Sequence, residues 1–158
     1  MRKITFLIIA LSFSFAFSLQ AQDIASFNFT FNHLSLSVKD VDQSSNFYKN
    51  VLGLQEITNK TKIEGIRWFS LGEGKELHLI SIIKEPVIVN RAVHLALSTL
   101  NFDAFINKLD KLKITYSDSQ SNLNKINIRA DGIKQIYFQD PNGYWIEVNS
   151  VGQKQENK

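Results

Sequence analysis

The chain has 158 residues, of which 44% are apolar, 11% aromatic and 21% charged, and it contains no cysteine. These fractions are typical of one globular domain and exclude disordered and collagen-like proteins, and the lack of cysteine excludes disulfides, thiolate metal sites and a cysteine nucleophile. The formal net charge is +3, and because basic and acidic residues are mixed along the chain we expect no nucleic-acid binding.

Residues 1–21 have the features of a secretory signal peptide. Arg2 and Lys3 precede an uncharged, apolar run over 4–19, and the run is followed by the small residue Ala21. A basic start, a short apolar stretch and a small residue before polar sequence are typical of such signals. We therefore expect cleavage after Ala21 and export to the periplasm or the medium, with no membrane contact after cleavage. An uncleaved membrane anchor is the alternative.

The mature chain begins with a lead-in over 22–28 and continues with a predicted module over 29–84. Apolar and polar residues alternate over 29–38, which predicts a strand. Asp40 is the predicted N-cap of a helix that ends at Gly53. Three strands are then predicted, over 54–60, 65–71 and 76–83.

A second module of the same kind is predicted over 91–150, followed by a polar tail over 151–158. Its predicted elements are a strand over 91–98, a helix capped by Asn101, and strands over 114–116, 132–139 and 143–149. The residues Asp140-Pro141-Asn142-Gly143 are a strong turn signal between the last two strands. The Ser- and Asn-rich segment 117–131 predicts a long loop.

The two modules begin with nearly the same residues. His-Leu-Ser-Leu-Ser at 33–37 corresponds to His-Leu-Ala-Leu-Ser at 94–98, an offset of 61 residues. A period this long that occurs only twice indicates a duplicated βαβββ unit and not a solenoid. We therefore expect one domain of the α+β class.

Four polar side chains share the strand face that lies opposite the helices. His33, His78 and His94 fall in strands between or beside aliphatic residues, and Glu147 has an aliphatic residue on each side. Because side chains alternate along a strand, these four point away from the helix-covered face. If both modules curve into one concave sheet, three imidazoles and a carboxylate converge as a divalent metal site. For each histidine taken singly, a satisfied polar residue in a sheet is the alternative.

These residues and their surroundings resemble a known family. The matching segments are 33–38 with Asp40, 47–54, 77–80, 94–98 and 137–148, of which the Asp-Pro-Asn-Gly turn followed by Glu147 is the most specific. They are similar to the vicinal oxygen chelate superfamily, which includes glyoxalase I, fosfomycin-modifying thiol transferases, methylmalonyl-CoA epimerase, extradiol dioxygenases and bleomycin-binding proteins. The resemblance covers nearly the whole mature chain.

The resemblance implies a fold and a metal site. It implies two βαβββ modules whose mixed sheets form a cup with the helices outside, around one metal held by His33, His78, His94 and Glu147. It also implies a substrate that chelates through adjacent oxygens, a metal that acts as a Lewis acid, and a homodimer whose modules pair within or between chains. Glyoxalase I usually has Glu at the position of His78, and the extra imidazole here favours Zn, Ni, Co or Fe.

The sequence thus predicts an exported metal-dependent enzyme of the glyoxalase type, with isomerase, lyase or epimerase activity and Glu147 as its candidate base. An extradiol-type iron dioxygenase is one alternative, and a non-catalytic ligand-binding protein of the bleomycin-resistance type is another. Because an exported protein meets little glutathione, glutathione adducts and thiol transfer to fosfomycin are disfavoured.

Aromatic and basic side chains near the predicted cup are candidates for substrate binding. Trp145 shares the strand face of Glu147, and Trp68 and Tyr144 lie on strands that face or border the cup. Aromatic walls suit a partly apolar organic ligand. Arg67 and Arg129 are candidates for binding a carboxylate or phosphate, and a solvated surface position is the alternative for each.

Overall fold

The computed structural model describes residues 29–151. Its elements are β1 (His33–Ser37), α1 (Val41–Asn50), β2 (Glu56–Ile57), β3 (Ile66–Gly72), β4 (Lys75–Ile80), β5 (His94–Ser98), α2 (Phe102–Lys111), β6 (Asn127–Ile128), β7 (Lys134–Gln139) and β8 (Trp145–Asn149). This order confirms the α+β class and the two βαβββ modules. The predicted signal peptide, the lead-in and all but the first residue of the tail lie outside the described residues. No helix within 29–151 is long and apolar enough to cross a membrane.

Each module forms its own four-stranded mixed sheet. The strand orders are β1-β4-β3-β2 and β5-β8-β7-β6, and within 29–151 no strand of one sheet is hydrogen-bonded to a strand of the other. The first strand of each module pairs in parallel with the last, β1 with β4 and β5 with β8, and the other pairs are antiparallel. The duplicated strands β1 and β5 therefore occupy equivalent edges of their sheets.

The ends of α1 follow from two residues that the sequence singles out. Asp40 has an extended backbone, and its carboxylate accepts hydrogen bonds from the amides of Asp42 and Gln43 at 2.9 Å each. At the other end Gly53 has φ +72°, and the amide of the next residue donates to the carbonyl of Tyr48 at 3.1 Å. This bond satisfies a carbonyl in the last turn of α1. The predicted N-cap is confirmed, whereas α1 ends at Asn50, three residues before Gly53.

The second module differs from the prediction in its third element. Residues 114–116 form no strand, and the strand that pairs with β7 is β6, which lies inside the predicted loop. The reason is a tight turn: the amide of Gly132 donates to the carbonyl of Arg129, and the amide of Arg129 donates to the carbonyl of Ile133, at 2.9 Å each. Gly132 has φ +79°, which only glycine adopts without strain. Asn101 precedes α2 as predicted, but its side chain makes no capping bond.

One apolar core lies under both modules. It contains aliphatic residues from the helix-facing sides of both sheets and buried residues of both helices, including Leu36, Leu79, Ile146 and Leu109. Phe138 of β7 links the two helices, because its ring centroid lies 6.3 Å from that of Phe47 and 6.0 Å from that of Phe105. The aliphatic face predicted from alternation is therefore the buried face, and the alternating polar residues lie on the opposite side.

The turn at 140–143, which we call the joining turn, fastens the second module to the first. Asp140 is 5% exposed. Its carboxylate accepts hydrogen bonds from the Tyr48 hydroxyl at 3.1 Å and from the amides of Asn142 and Tyr144 at 2.8 and 2.9 Å. Because Tyr48 belongs to α1, this buried carboxylate links the two modules.

The side chains of Asn142, within the joining turn, and of Tyr144, next to it, add further bonds to the first module. The Asn142 amide group donates to the Ser44 hydroxyl at 2.9 Å, and its oxygen accepts from the backbone amide of Lys39 at 2.9 Å. The hydroxyl of Tyr144 donates to the carbonyl of Ser37 at 2.9 Å. All of these partners lie between the end of β1 and the first turns of α1. The turn is therefore bound to a single region of the first module.

Candidate metal centre

His94 and Glu147 form a compact pair on the face of the second sheet that lies opposite the helices. They come from the adjacent parallel strands β5 and β8. Their Nε2 and Oε2 atoms are 3.5 Å apart, and Glu147 is 7% exposed. Ligands bound at about 2.0–2.2 Å to one ion lie roughly 3.0–3.5 Å from each other. The geometry therefore suits two ligands of the same metal.

The orientation of the His94 ring is set by the backbone. Its Nδ1 donates a hydrogen bond to the carbonyl of Arg91 at 2.9 Å. A carbonyl only accepts, so the neutral ring carries its proton on Nδ1 and its lone pair on Nε2, the nitrogen that faces Glu147. Histidine ligands of metals are held in this way by a bond to their other ring nitrogen.

A chain of hydrogen bonds fixes the Glu147 carboxylate. Oε2 accepts from the Tyr137 hydroxyl at 2.7 Å, and Oε1 accepts from the Asn149 amide group at 2.9 Å. Behind them, Gln135 donates to the Tyr137 oxygen at 3.0 Å, and Ser98 donates to the Asn149 oxygen at 2.9 Å. Both carboxylate oxygens thus have defined directions. These four supporting residues are missing from the sequence prediction.

Tyr137 is held as a hydrogen-bond donor. Burial and the hydrogen bond to Glu147 raise its pKa to about 12. Its hydroxyl is therefore protonated across the physiological pH range and remains a hydrogen-bond donor to Glu147. The ring of Tyr137 also meets the His94 ring edge-on, with centroids 5.6 Å apart.

The first module places His33 and His78 together, in a different arrangement. Their rings are stacked with centroids 4.4 Å apart, and the Trp68 indole stacks on the other side of His78 at 4.1 Å. Nδ1 of His33 donates to the side-chain oxygen of Asn32 at 2.7 Å, which leaves the lone pair on Nε2, as in His94. Nε2 of His78, by contrast, is hydrogen-bonded to Glu76 at 2.8 Å.

The structure therefore brings the four predicted ligands together as two pairs. We call His33 with His78 the first pair and His94 with Glu147 the second pair. Within residues 29–151, no three His, Cys, Asp or Glu side chains are placed to hold one ion. The two pairs lie on separate sheets, so the four-residue cluster expected from the sequence does not form from one chain in this arrangement.

The aromatic candidates lie beside these pairs. Trp68 covers His78, and the Trp145 ring lies 5.6 Å from the guanidinium of Arg91. His94, Tyr144 and Trp145 contribute to the wall of a groove of about 440 Å³. The rest of the groove is mostly apolar and includes Leu34, Leu36, Ile80, Ile83, Val87, Val93, Leu95 and Ile146. Because the hydroxyl of Tyr144 is hydrogen-bonded to the first module, only the ring of this residue can contact a ligand in the groove.

The two arginine candidates differ in position. Arg67 lies opposite Leu79 on the helix-facing side of its sheet and pairs with Asp42 and Glu56, the latter at 3.0 Å. It faces away from His78, so these ion pairs give it a structural role. Arg129 pairs with Asp131 at 2.8 Å in the turn before β7.

A family model decides which proteins this chain is related to. The model described as the Glyoxalase/Bleomycin resistance protein/Dioxygenase superfamily matches residues 30–148. The chain belongs to this superfamily. The match covers nearly all of both modules and contains all four predicted ligands, and it confirms the resemblance found in the sequence. Members of the superfamily use a divalent metal ion, bind small-molecule substrates and often form dimers.

Individual relatives agree with this membership of the glyoxalase superfamily. The chain is 27% identical over 123 residues to Glyoxylase I 4 of Arabidopsis thaliana, covering 74% of this chain and 68% of that protein. It is 30% identical over 126 residues to the metallothiol transferase FosB of Lysinibacillus sphaericus, covering 75% and 80%. The solved structure of Oxidase ChaP-H2 matches with a TM-score of 0.63 at 20% identity, covering 82% and 99%, and shows the shared fold. The family model and the two curated relatives support a metal-dependent function of glyoxalase-like, dioxygenase or fosfomycin-resistance type.

Proposed function

We propose that the protein is an exported metal-dependent enzyme of the glyoxalase type, acting as an isomerase, lyase or epimerase on a small substrate that chelates through adjacent oxygens. The observation that carries this proposal is the second pair. A buried carboxylate with both oxygens directed by donors, 3.5 Å from an imidazole nitrogen whose tautomer is fixed, is an arrangement suited to metal binding.

The donor set fits a borderline divalent ion. His33 and His94 each present Nε2, Glu147 adds a carboxylate oxygen, and His78 is the fourth candidate. Imidazole-rich sites of this kind suit Zn, Ni, Co or Fe. When bound, the metal polarises the substrate oxygens as a Lewis acid.

The two pairs meet most simply through a second copy of the chain. One chain brings only two of the predicted ligands together on each sheet, and the joining turn fastens the modules to each other. In a symmetric dimer, the first pair of one copy and the second pair of the other form one site, twice over. The edge strands β1 and β5 and the apolar groove beside them are surfaces that such a partner would cover.

The protein's own groups then have distinct roles. Glu147 accepts a proton from the substrate carbon next to the chelating oxygens, and Tyr137 and Asn149 keep its carboxylate in one orientation. Trp145 and Trp68 provide aromatic walls on the two sides of the site. Because these walls are apolar, they favour a partly apolar organic substrate.

A second candidate function is an iron dioxygenase of the extradiol type. It is favoured by the bond between Nε2 of His78 and Glu76. If that bond persists in the assembled site, two histidines and one carboxylate remain, the set typical of non-haem Fe(II) oxygenases. Iron in the purified protein, with oxygen consumption on addition of a catechol, would favour this candidate over the isomerase.

The first experiment measures metal content by mass spectrometry on mature protein purified without an affinity tag. We expect about one transition metal per chain in the wild type and loss of metal in His94→Ala and Glu147→Gln. Glu56→Gln is the matched control, because it removes a hydrogen-bonded carboxylate from the helix-facing side of a sheet. A folded wild type that takes up no metal under any loading condition would overturn the proposal and leave a non-catalytic binding protein.

A mixing experiment tests whether two copies share each site. His33→Ala and His94→Ala are unfolded together in equal amounts and refolded. If sites form between copies, half of the dimers are mixed and each mixed dimer has one intact site, so about one quarter of the wild-type metal content returns. If each site forms within one chain, no metal returns.

Export has its own test. Sequencing the N-terminus of the protein secreted by a bacterial host should give Gln22 as the first residue. An intact Met1 in a membrane fraction would support the uncleaved anchor instead.

A further inference from the structure

Arg91 contacts both the second pair and the long loop of the second module. Its carbonyl accepts the Nδ1 proton of His94. Its guanidinium donates to the carbonyl of Asp118 at 3.1 Å and to that of Ser119. The same guanidinium lies 5.3 Å from the centre of the Tyr137 ring and 5.6 Å from that of Trp145.

The loop that Arg91 holds has an ordered structure of its own. The Asp118 carboxylate accepts from the amides of Gln120 and Asn122 at 2.8 and 2.9 Å, and from the Asn122 side chain at 2.8 Å. At its base, Ser117 and Tyr137 exchange two backbone hydrogen bonds of 2.8 Å each. The loop is therefore anchored to the strand residue that supports Glu147. Arg91 provides a second anchor, through side-chain bonds.

The chemistry of this anchor requires arginine. A guanidinium has several donors in one plane, so it reaches two successive carbonyls while its face covers aromatic rings. A lysine ammonium keeps the positive charge, but it lacks the coplanar pair of donors and the flat surface that stacks on aromatic rings. Loss of the two guanidinium hydrogen bonds would release the loop. Any resulting shift of the Arg91 backbone would rotate the His94 ring, which is hydrogen-bonded to the Arg91 carbonyl.

We propose that Arg91 is a positioning residue that couples the loop at 118–122 to the second pair. Its guanidinium holds the loop beside Trp145 and Tyr137, and its carbonyl fixes the His94 ring. The order of the loop and the metal affinity then change together. The part that concerns metal affinity rests on the proposed function, whereas the part that concerns the loop does not.

Amide hydrogen exchange on the full mature protein tests the anchor. We expect exchange over 118–124 to be roughly tenfold faster in both Arg91→Gln and Arg91→Lys than in the wild type. Lys134→Gln is the control, because it also removes one positive charge that is held by side-chain contacts, here an ion pair with Asp103 at 2.8 Å. Unchanged exchange in Arg91→Gln, equal acceleration in the control, or wild-type exchange in Arg91→Lys would each overturn the anchoring role.

Competition with a chelator tests the coupling. We expect Arg91→Gln to bind Co(II) about tenfold more weakly than the wild type, with an altered Co(II) absorption spectrum. Faster exchange of the loop with unchanged affinity and spectrum would overturn the coupling. If the wild type itself binds no metal, the proposed function fails, and the exchange experiment still decides the role of Arg91 in the loop.

Discussion

Replacing Tyr48 by phenylalanine tests the idea that a buried carboxylate joins the modules. Tyr48 is 0% exposed, and its hydroxyl donates to Asp140, which is 5% exposed. Burial and the neighbouring carboxylate raise the pKa of Tyr48 above its ordinary value, so the hydroxyl is a donor at any physiological pH. The variant keeps the ring and its packing but removes one donor to a carboxylate. A hydrogen bond to a charged group contributes about 1.5–3 kcal/mol, so we expect a loss of about 2 kcal/mol in the free energy of unfolding.

Urea unfolding followed by tryptophan fluorescence measures this loss. With an m-value of about 2 kcal/mol/M for a domain of this size, the midpoint should fall by about 1 M at unchanged m. Tyr144→Phe is the matched control, because its hydroxyl donates to the neutral carbonyl of Ser37 and its loss costs about 1 kcal/mol. A midpoint shift below about 0.2 M for Tyr48→Phe, or a larger shift in the control, would refute the assigned role of Asp140.

Three further variants probe the charges and the ligand pairs. Burial alone would raise the pKa of Glu56, but hydrogen bonds from Arg67 and Lys49 outweigh it and lower the pKa. The ionised carboxylate therefore stabilises the fold at pH values above its ordinary pKa of about 4.3, and this stabilisation is lost as the pH falls through the lowered pKa of the folded state. Glu56→Gln should accordingly be less stable than the wild type in urea at pH 7 and equally stable in strong acid. Tyr137→Phe should weaken Zn(II) binding about tenfold in chelator competition, because Glu147 loses a donor; unchanged affinity would contradict the network. His78→Ala should lose less metal affinity than His33→Ala, since Nε2 of His78 is bonded to Glu76; equal losses would make His78 a full ligand.

The parts of the fold that could be predicted from sequence depend on local chemistry. Alternation along β1 predicts that Leu36 and Val38 are buried and that His33 points the other way, because the geometry of a strand leaves no other choice. The N-cap at Asp40 and the left-handed Gly53 follow from side-chain and backbone preferences of single residues. The same alternation correctly places His94 and Glu147 on one face.

The parts that were missed depend on contacts between distant segments. The two residues of β6 have too little length to show a period, although the Asp131-Gly132 turn that follows them is a readable signal. Tyr137 and Asn149 share the face of Glu147 by the same two-residue period, so they could have been named as its supports. The role of Arg91 depends on the position to which the loop at 118–122 folds back, and this position cannot be predicted from a local sequence pattern.

The joining turn gives a physical reason why the two ligand pairs stay apart within one chain. The most specific motif of the sequence, Asp-Pro-Asn-Gly, places Asp140 and Asn142 where they bind α1 and the end of β1 through buried and half-buried hydrogen bonds. These bonds and the shared core resist any hinge between the modules that would bring the first pair to the second. In the dimer that we propose, another copy supplies the missing pair, and the site then has more than two of the predicted ligands. Under this proposal the motif serves the chemistry indirectly, because it holds each module in the position from which it would complete the site of the other copy.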